Sequence, residues 1–264
     1  MIRLLEEKDR KVLLDYLYQE AEYNIFPIGD IEAFGFDQDF QRIYGEFNQE
    51  NHLISILLRY RENTIYYSDQ LIFNLEYLEI FKNDPFKFIS GKTELMSLIH
   101  PHLENFELER MYFCKATSII QSLKVDDYSI KQLRTEEEAG KLYDLISTID
   151  EFGAHLKEKD DFIDAKMKSI QMGTTLFIEE KGKIISTVAT TAETTKSAMV
   201  VSVATDKAHR NKGLASILMV ALMDLYIHQK KKSLCLFYDN VAAGKIYLKL
   251  GFKTIGKWDM YHQK

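Results

Sequence analysis

The sequence predicts an α/β protein in two parts, on three observations. Runs rich in β-branched and aromatic residues, such as TTLFIEE and SAMVVSVAT, take turns with runs of helical period, such as LASILMVALMDLYIH. A plan of short strand, acidic helix start and apolar stripe occurs in MIRLLEEKDRKVLLDYLYQE and again in YSIKQLRTEEEAGKLYDLIS. The composition supports packed cores: of 264 residues 46% are apolar, with 15 Tyr and 16 Phe, while 3 Pro and 12 Gly leave little for a flexible linker. The second beginning puts the boundary near Leu123, dividing the chain into residues 1–123 and 124–264.

The first part opens with a strand at IRLL and a helix from Glu6 or Glu7. IFPIGDIEAFGF, with one proline and two glycines, reads as a loop and then a short helix. Strands follow in YGEFNQENHLISILLRYRENTIYYSD, turning at NQEN and RYREN. LEYLEIFKN is expected to be a helix and FKFISG a strand. TELMSLIHPHLEN is a helix broken near Pro101, and ERMYFCKAT another strand.

In the second part a helix is expected over Glu136 to Thr148, and another at DDFIDAKMKSIQMG, stopped by Gly173. TTLFIEE and KIISTVATTA are strands joined by a KG turn, and SAMVVSVAT is a third. A helix runs from Gly213 or Leu214 to about His228, then come strand SLCLFYD, helix VAAGKIYLKL and one or two strands in FKTIGKWDMYH. This order predicts a mixed sheet with an antiparallel start and a βαβ core.

A formal charge of −6 excludes wholesale nucleic-acid binding and leaves RNKG and HQKKKS as local basic patches. Cys114 and Cys235 lie in apolar runs and read as buried thiols of a reducing compartment. With no signal peptide and no run long enough to span a membrane, the expected location is cytoplasmic. No metal site is expected, because the seven histidines are scattered and HPH at 100–102 has no cysteine nearby. YYSDQ and FKTIGKWDMY read as exposed edges, which leaves a homodimer open.

Two stretches carry chemistry. HRNKGLAS follows a strand and begins a long helix, whose first amides lack internal partners and face whatever lies over that end. Gly213 allows close backbone approach, Ala215 keeps the surface open, and Arg210 and Lys212 add charge suited to a phosphate. A pyrophosphate suits such a turn, but the ATP loop and the dinucleotide fingerprint are both missing. In DNVAAGKIYLKLGF, Asn240 ends a strand and caps the next helix, Tyr247 shares a face with Ala243, and Gly251 ends the helix. Read alone, each stretch has a plain alternative: a solvated strand-to-helix turn for the first, core packing of a tyrosine for the second.

Together they resemble the GCN5-related N-acetyltransferase (GNAT) family over about residues 128–264, in the two-domain form with an FR47-like C-terminal half. The residues are VATDKAHRNKGLA, Val203 to Ala215, on the pattern V-x-T-x-x-x-x-R-x-x-G-x-A, and NVAAGKIYLKLGF, Asn240 to Phe252, on N-x-x-A-x-x-x-Y-x-x-x-G-F. The resemblance implies a GNAT fold, with a mixed, twisted central sheet whose two parallel strands, SAMVVSVAT and SLCLFYD, splay apart. It implies acetyl-CoA (coenzyme A) as acyl donor. Amides of Asn211, Lys212, Gly213, Leu214, Ala215 and Ser216 would hold the pyrophosphate, with Arg210 beside them. The backbone of Val203 and Thr205 would pair with the pantetheine arm, and Asn240 would contact the cofactor. Tyr247 would sit near the thioester sulfur and protonate the departing thiolate. The first part resembles a divergent, partial domain of the same fold and has no copy of either motif.

The sequence departs from the family pattern at DKAHR, where an upstream proline and acidic residue are usual and His209 stands for an aromatic. SAMVVSVAT also holds no carboxylate. The base for the acceptor amine must then come from elsewhere, and Glu193, Glu151 and His155 are the candidates. Each has a plainer reading as a solvated turn or connector residue. The expected function is transfer of an acetyl group to the primary amine of a small molecule, amino acid or peptide, by direct attack in a ternary complex. The alternative is a noncatalytic acyl-CoA-binding module with a regulatory or protein-contact role. Neither nucleic acid nor membrane is an expected partner.

Overall fold

The computed structural model describes residues 1–36, 38–120, 128–149, 156 and 158–264. The chain divides into one unit of Met1–Phe113, Phe237–Asp239 and Thr254–Lys264, and a second of Cys114–Leu236 and Asn240–Lys253. The expected boundary at Leu123 lies outside the described residues. The units are not consecutive along the chain: its last eleven residues, past Lys253, belong with its beginning.

In the first unit, β1 (Ile2–Leu4) leads to a 3-10 turn (Glu7–Asp9) and α1 (Arg10–Leu17). Next comes α2 (Ile25–Phe34), a helix throughout where a loop was expected to begin. Pro27 is its third residue, where the amide has no intrahelical acceptor to lose and the fixed φ suits a helix. Strands β2 (Gln41–Phe47), β3 (Leu53–Tyr60) and β4 (Asn63–Tyr67) form an antiparallel meander. They are followed by α3 (Tyr77–Asn83), β5 (Phe88–Lys92), α4 (Thr93–Ile99) and β6 (Phe106–Ala116). Leu13 and Leu17 of α1, Ile28 and Ile31 of α2, and Leu95 and Met96 of α4 bury against Ile56, Leu57 and Ile89 of the sheet.

The first elements that lie wholly in the second unit are β7 (Ile130–Gln132) and α5 (Glu136–Ile146). Thr135 caps α5, its hydroxyl accepting from the Glu138 amide while the Glu138 carboxylate returns to the Thr135 amide. Then come α6 (Lys159–Ser169), β8 (Thr175–Glu180), β9 (Lys183–Thr191) and β10 (Ser197–Thr205). The KG turn between β8 and β9 has both residues at positive φ, 51° at Lys181 and 78° at Gly182, the requirement of a tight hairpin. After β10 the chain enters α7 (Leu214–Met223), buried at seven of its ten positions, then a π-helical stretch Asp224–Gln229. Strand β11 (Ser233–Tyr238) and α8 (Val241–Leu250) follow. The strand order is β11-β10-β9-β8-β7.

The final strand, β12 (Lys253–Gln263), is one strand of 11 residues. It pairs antiparallel with β5 from Trp258↔Lys92 to His262↔Phe88, completing the first unit's order β1-β2-β3-β4-β5-β12-β6. Asp259 on β12 is fully buried. Arg110 of β6 donates to both its oxygens at 2.8 and 2.7 Å, and Thr93 Oγ1 at the head of α4 donates at 2.7 Å. A buried carboxylate needs such full pairing to be tolerated. Among the described residues no helix is long and apolar enough to cross a membrane.

Candidate active site

The second unit contains a strand with an unpaired edge, and it leads to an open helix end. Strands β10 and β11 run parallel only over Ser197↔Ser233, Ala198↔Leu234 and Met199↔Cys235. β10 continues to Thr205 without a registered β11 partner, so the backbone of Val200–Thr205 presents donors and acceptors on that edge. On its other edge the ladder with β9 jumps from Val201↔Ala189 to Ala204↔Thr187. Ser202, inside this bulge, takes φ 53°, a left-handed conformation that β-branched neighbours would resist and that re-aims the strand. Val203 lies in the bulge. Thr205 ends the strand with its hydroxyl 2.8 Å from Ser186 Oγ.

A short 3-10 turn, Lys207–His209, separates β10 from the helix turn. Asp206 caps it, accepting from the Ala208 amide at 3.0 Å. Arg210 turns back so that Nε donates to the Thr205 carbonyl at 3.3 Å, holding the turn to the strand end. Asn211 has φ 63° and Gly213 φ 79°. Gly213 is the N-cap of α7 and supplies no side-chain acceptor to the first-turn amides. The first main-chain bond into the helix is Ile217 N–H to the Gly213 carbonyl, so the amides of Leu214, Ala215 and Ser216 precede the ladder. A Cβ on Gly213 would meet no atom within 4 Å, so the space beside the backbone is open. Asn211, Lys212 and Gly213 are exposed, Leu214 anchors the helix in the core, and Ala215 and Ser216 are half-buried.

Residues 210–216, with Val203 and Thr205 before them, thus lie along one continuous feature. The second is α8, which packs against α7. Asn240 is its N-cap: Oδ1 accepts from the Ala242 and Ala243 amides at 2.8 and 3.3 Å, a contact worth about 1 kcal/mol to the helix. Tyr247, two turns on, is 8% exposed and meets Phe252 edge-to-face at 6.1 Å. Burial pushes its phenol up to about 12, so it is protonated at neutral pH.

The structure does not bring Glu193 to this site. Glu193 lies before the start of β10, while the Gly213 turn follows its end. Its carboxylate accepts from Lys232 at 2.7 Å, from Tyr226 Oη at 2.7 Å and from Lys230 at 3.1 Å. Burial raises its proton affinity, but these hydrogen bonds outweigh burial and leave the carboxyl below its ordinary value. A carboxylate so committed braces the turn before β10 and turns its lone pairs toward two lysines and a tyrosine. The same contacts take Lys230 and Lys232 of the basic run away from any role beside the Gly213 turn. Glu151 and His155 lie outside the described residues. Of HPH, His100 stacks on Tyr261 at 5.1 Å and His102 leans on Phe73 at 6.0 Å.

The sequence reading overlooked what His209 does. Its Nδ1 lies 2.6 Å from Asp206 Oδ1 and its Nε2 3.0 Å from Glu180 Oε2, at the end of β8. The Asp–x–x–His spacing in DKAHR signals the first contact; the second depends on sheet pairing.

A family model for GNAT acetyltransferase matches residues 39–261. Among solved structures, a GNAT-family acetyltransferase from Colwellia psychrerythraea is 15% identical with a TM-score of 0.59, covering 100% of both chains. A tandem GNAT protein from the clavulanic acid biosynthesis pathway is 10% identical with a TM-score of 0.64, covering 99% of this chain and 97% of that one. A GCN5-related N-acetyltransferase from Sphaerobacter thermophilus is 13% identical with a TM-score of 0.63, covering 100% and 95%. At such identities these likenesses concern the fold. Among curated protein sequences none matches this chain.

Proposed function

The chain belongs to the GNAT acetyltransferase family, and from that premise we propose that it is an N-acetyltransferase moving an acetyl group from acetyl-CoA to the primary amine of a small molecule, amino acid or peptide, by direct attack in a ternary complex. The observation that carries this reading is the open N-terminus of α7 behind a left-handed Gly213, at the end of a strand edge that β11 leaves unpaired. The amides of Asn211 to Ser216 suit a diphosphate, because they combine unpaired N–H groups with the positive end of the helix dipole. Lys212 adds an exposed cation there. Arg210, held on the Thr205 carbonyl, stiffens the turn it begins.

When bound, acetyl-CoA would supply the activated acyl group. The chain's own contribution is alignment and proton management. The free edge of β10 at Val203 and Thr205 would pair with an amide-bearing arm as a strand pairs with its neighbour. Asn240, whose Oδ1 is taken by the α8 amides, would offer its side-chain Nδ2. Tyr247 keeps its proton through the neutral range and would release it from Oη to a departing thiolate. Glu151 and His155 stay candidates for taking the amine's proton, on the sequence argument alone.

Thiol release measured against a panel of amines tests this reading. Turnover with at least one amine is expected; tight acetyl-CoA binding with no turnover anywhere on a broad panel would sink it. Tyr247→Phe is expected to lower kcat by about 10²-fold while calorimetry finds acetyl-CoA affinity unchanged. Equal loss of both would mark Tyr247 as packing only.

A further inference from the structure

His209 is flanked by two carboxylates, and carboxylate oxygens of ionised Asp and Glu only accept hydrogen bonds. A neutral imidazole has one N–H, so it satisfies one carboxylate and turns a lone pair toward the other. Contacts of 2.6 Å to Asp206 and 3.0 Å to Glu180, one from each ring nitrogen, therefore call for the doubly protonated ring. These contacts join three pieces of the second unit: the end of β8 through Glu180, the cap of the 3-10 turn through Asp206, and the residue before Arg210. Arg210 in turn holds the Thr205 carbonyl. The turn whose amides would hold a diphosphate thus hangs on the strand ends through these two neighbouring side chains.

We infer that His209 is a positioning residue for the cofactor turn and that it works as the imidazolium, so that the turn's order and its affinity for the diphosphate of coenzyme A fall as the ring loses its proton. The inference rests on the acetyl-CoA reading above. The charged groups facing the ring are Glu180 from β8, Asp206 on its own 3-10 turn, and Lys212 from the following turn, with Arg210 acting on Asp206. Asp206 and then Glu180 raise the ring's proton affinity above the ordinary histidine value, while Lys212 opposes them. A raised value in the folded protein means that the contribution is complete below about pH 6.5 and is lost as pH rises through the higher folded value.

Two measurements on the full chain test this. Acetyl-CoA affinity is read by calorimetry from pH 5.5 to 9.5 for the wild type, His209→Gln and Glu180→Gln. Comparing profiles cancels titration of the ligand's own phosphates. The wild type is expected to bind about three- to fivefold more tightly than His209→Gln at pH 6, the range of an exposed ion pair, and equally at pH 9. Glu180→Gln is expected to fall between them. In the ligand-free protein, exchange of the amides of residues 211–216 is expected to be faster in His209→Gln at pH 6 and equal to wild type at pH 9. Superimposable affinity profiles with unchanged exchange would overturn the inference. Altered exchange without any acetyl-CoA binding would overturn the cofactor reading instead, leaving His209 as the brace of a turn with some other purpose.

Discussion

Two strand-to-helix junctions in this chain use a glycine, and they use it in opposite ways. Between β5 and α4 the chain reads SGKT; between β10 and α7 it reads NKGL. At the first, a Cβ on Gly91 would lie 2.8 Å from the Tyr66 carbonyl and 3.1 Å from Met96 Sδ. Gly91 is there because nothing larger fits. Lys92 beside it bonds Glu20 and lies 4.5 Å over the Tyr23 ring. The helix head then meets the protein's own buried anion, since Thr93 Oγ1 donates to Asp259. At the second junction Gly213 has empty space beside it and needs its freedom for a φ of 79°. Asparagine and lysine stand exposed, and no side chain caps the helix. One junction is filled by the chain itself; the other stands open, the place the proposed function gives to an external anion. A glycine and a lysine near a helix start are therefore poor guides to anion binding until one knows what else fills the space.

The sharpest way to break this comparison is to open the closed junction. Asp259→Ala leaves Arg110 and Thr93 without their acceptor, at an expected cost of about 3 kcal/mol in unfolding free energy. Urea denaturation reads it directly. Acetyl-CoA affinity is expected to stay unchanged, because the lost carboxylate serves the other junction. A variant as stable as wild type would show that α4 does not depend on its internal anion.

The glycines themselves give the next largest effect. Gly91→Ala is expected to cost about 2 kcal/mol through overpacking, again with normal cofactor affinity. Gly213→Ala meets no neighbour and is expected to cost about 1 kcal/mol, the strain of a left-handed residue bearing a Cβ. Gly213→Asp adds a side chain that caps the α7 amides internally and repels phosphate, and is expected to weaken acetyl-CoA binding by about tenfold. If calorimetry found Gly91→Ala to hurt binding and Gly213→Asp to leave it intact, the roles of the two junctions would have to be exchanged.

What the sequence revealed follows from how local the physics is. SAMVVSVAT gave its strand to the residue, and Asn240 and Gly251 marked both ends of α8, because caps and stops act within one turn. The open turn was legible for the same reason. The return of FKTIGKWDMYH to pair with β5 was not, since its partner lies more than 160 residues earlier and only the finished sheet selects it. The helix at IFPIGDIEAF was misjudged because a proline signals a break unless one knows that it falls in the first turn. The surroundings of Glu193 are equally hidden, because its partners Tyr226, Lys230 and Lys232 come from a helix end over thirty residues on. A short polar turn between core strands looks the same whether its carboxylate faces water, substrate or lysines.

Glu193 also supplies a small expected effect, and it separates a support from a base. Glu193→Gln keeps the shape and removes the charge that Lys230 and Lys232 share. The expected loss is about 1 kcal/mol at neutral pH, since these contacts are partly exposed and screened. The carboxyl's lowered value makes this stabilisation complete above the ordinary glutamate range and lost as pH falls through the lower folded value, so wild-type and variant stabilities should converge in acid. Turnover per folded molecule is expected to be unchanged. If thiol release instead fell by 10²-fold or more, the size of effect a missing general base gives, the carboxylate at the foot of β10 would have to reach the acceptor amine, and the separation along that strand would no longer describe the working enzyme.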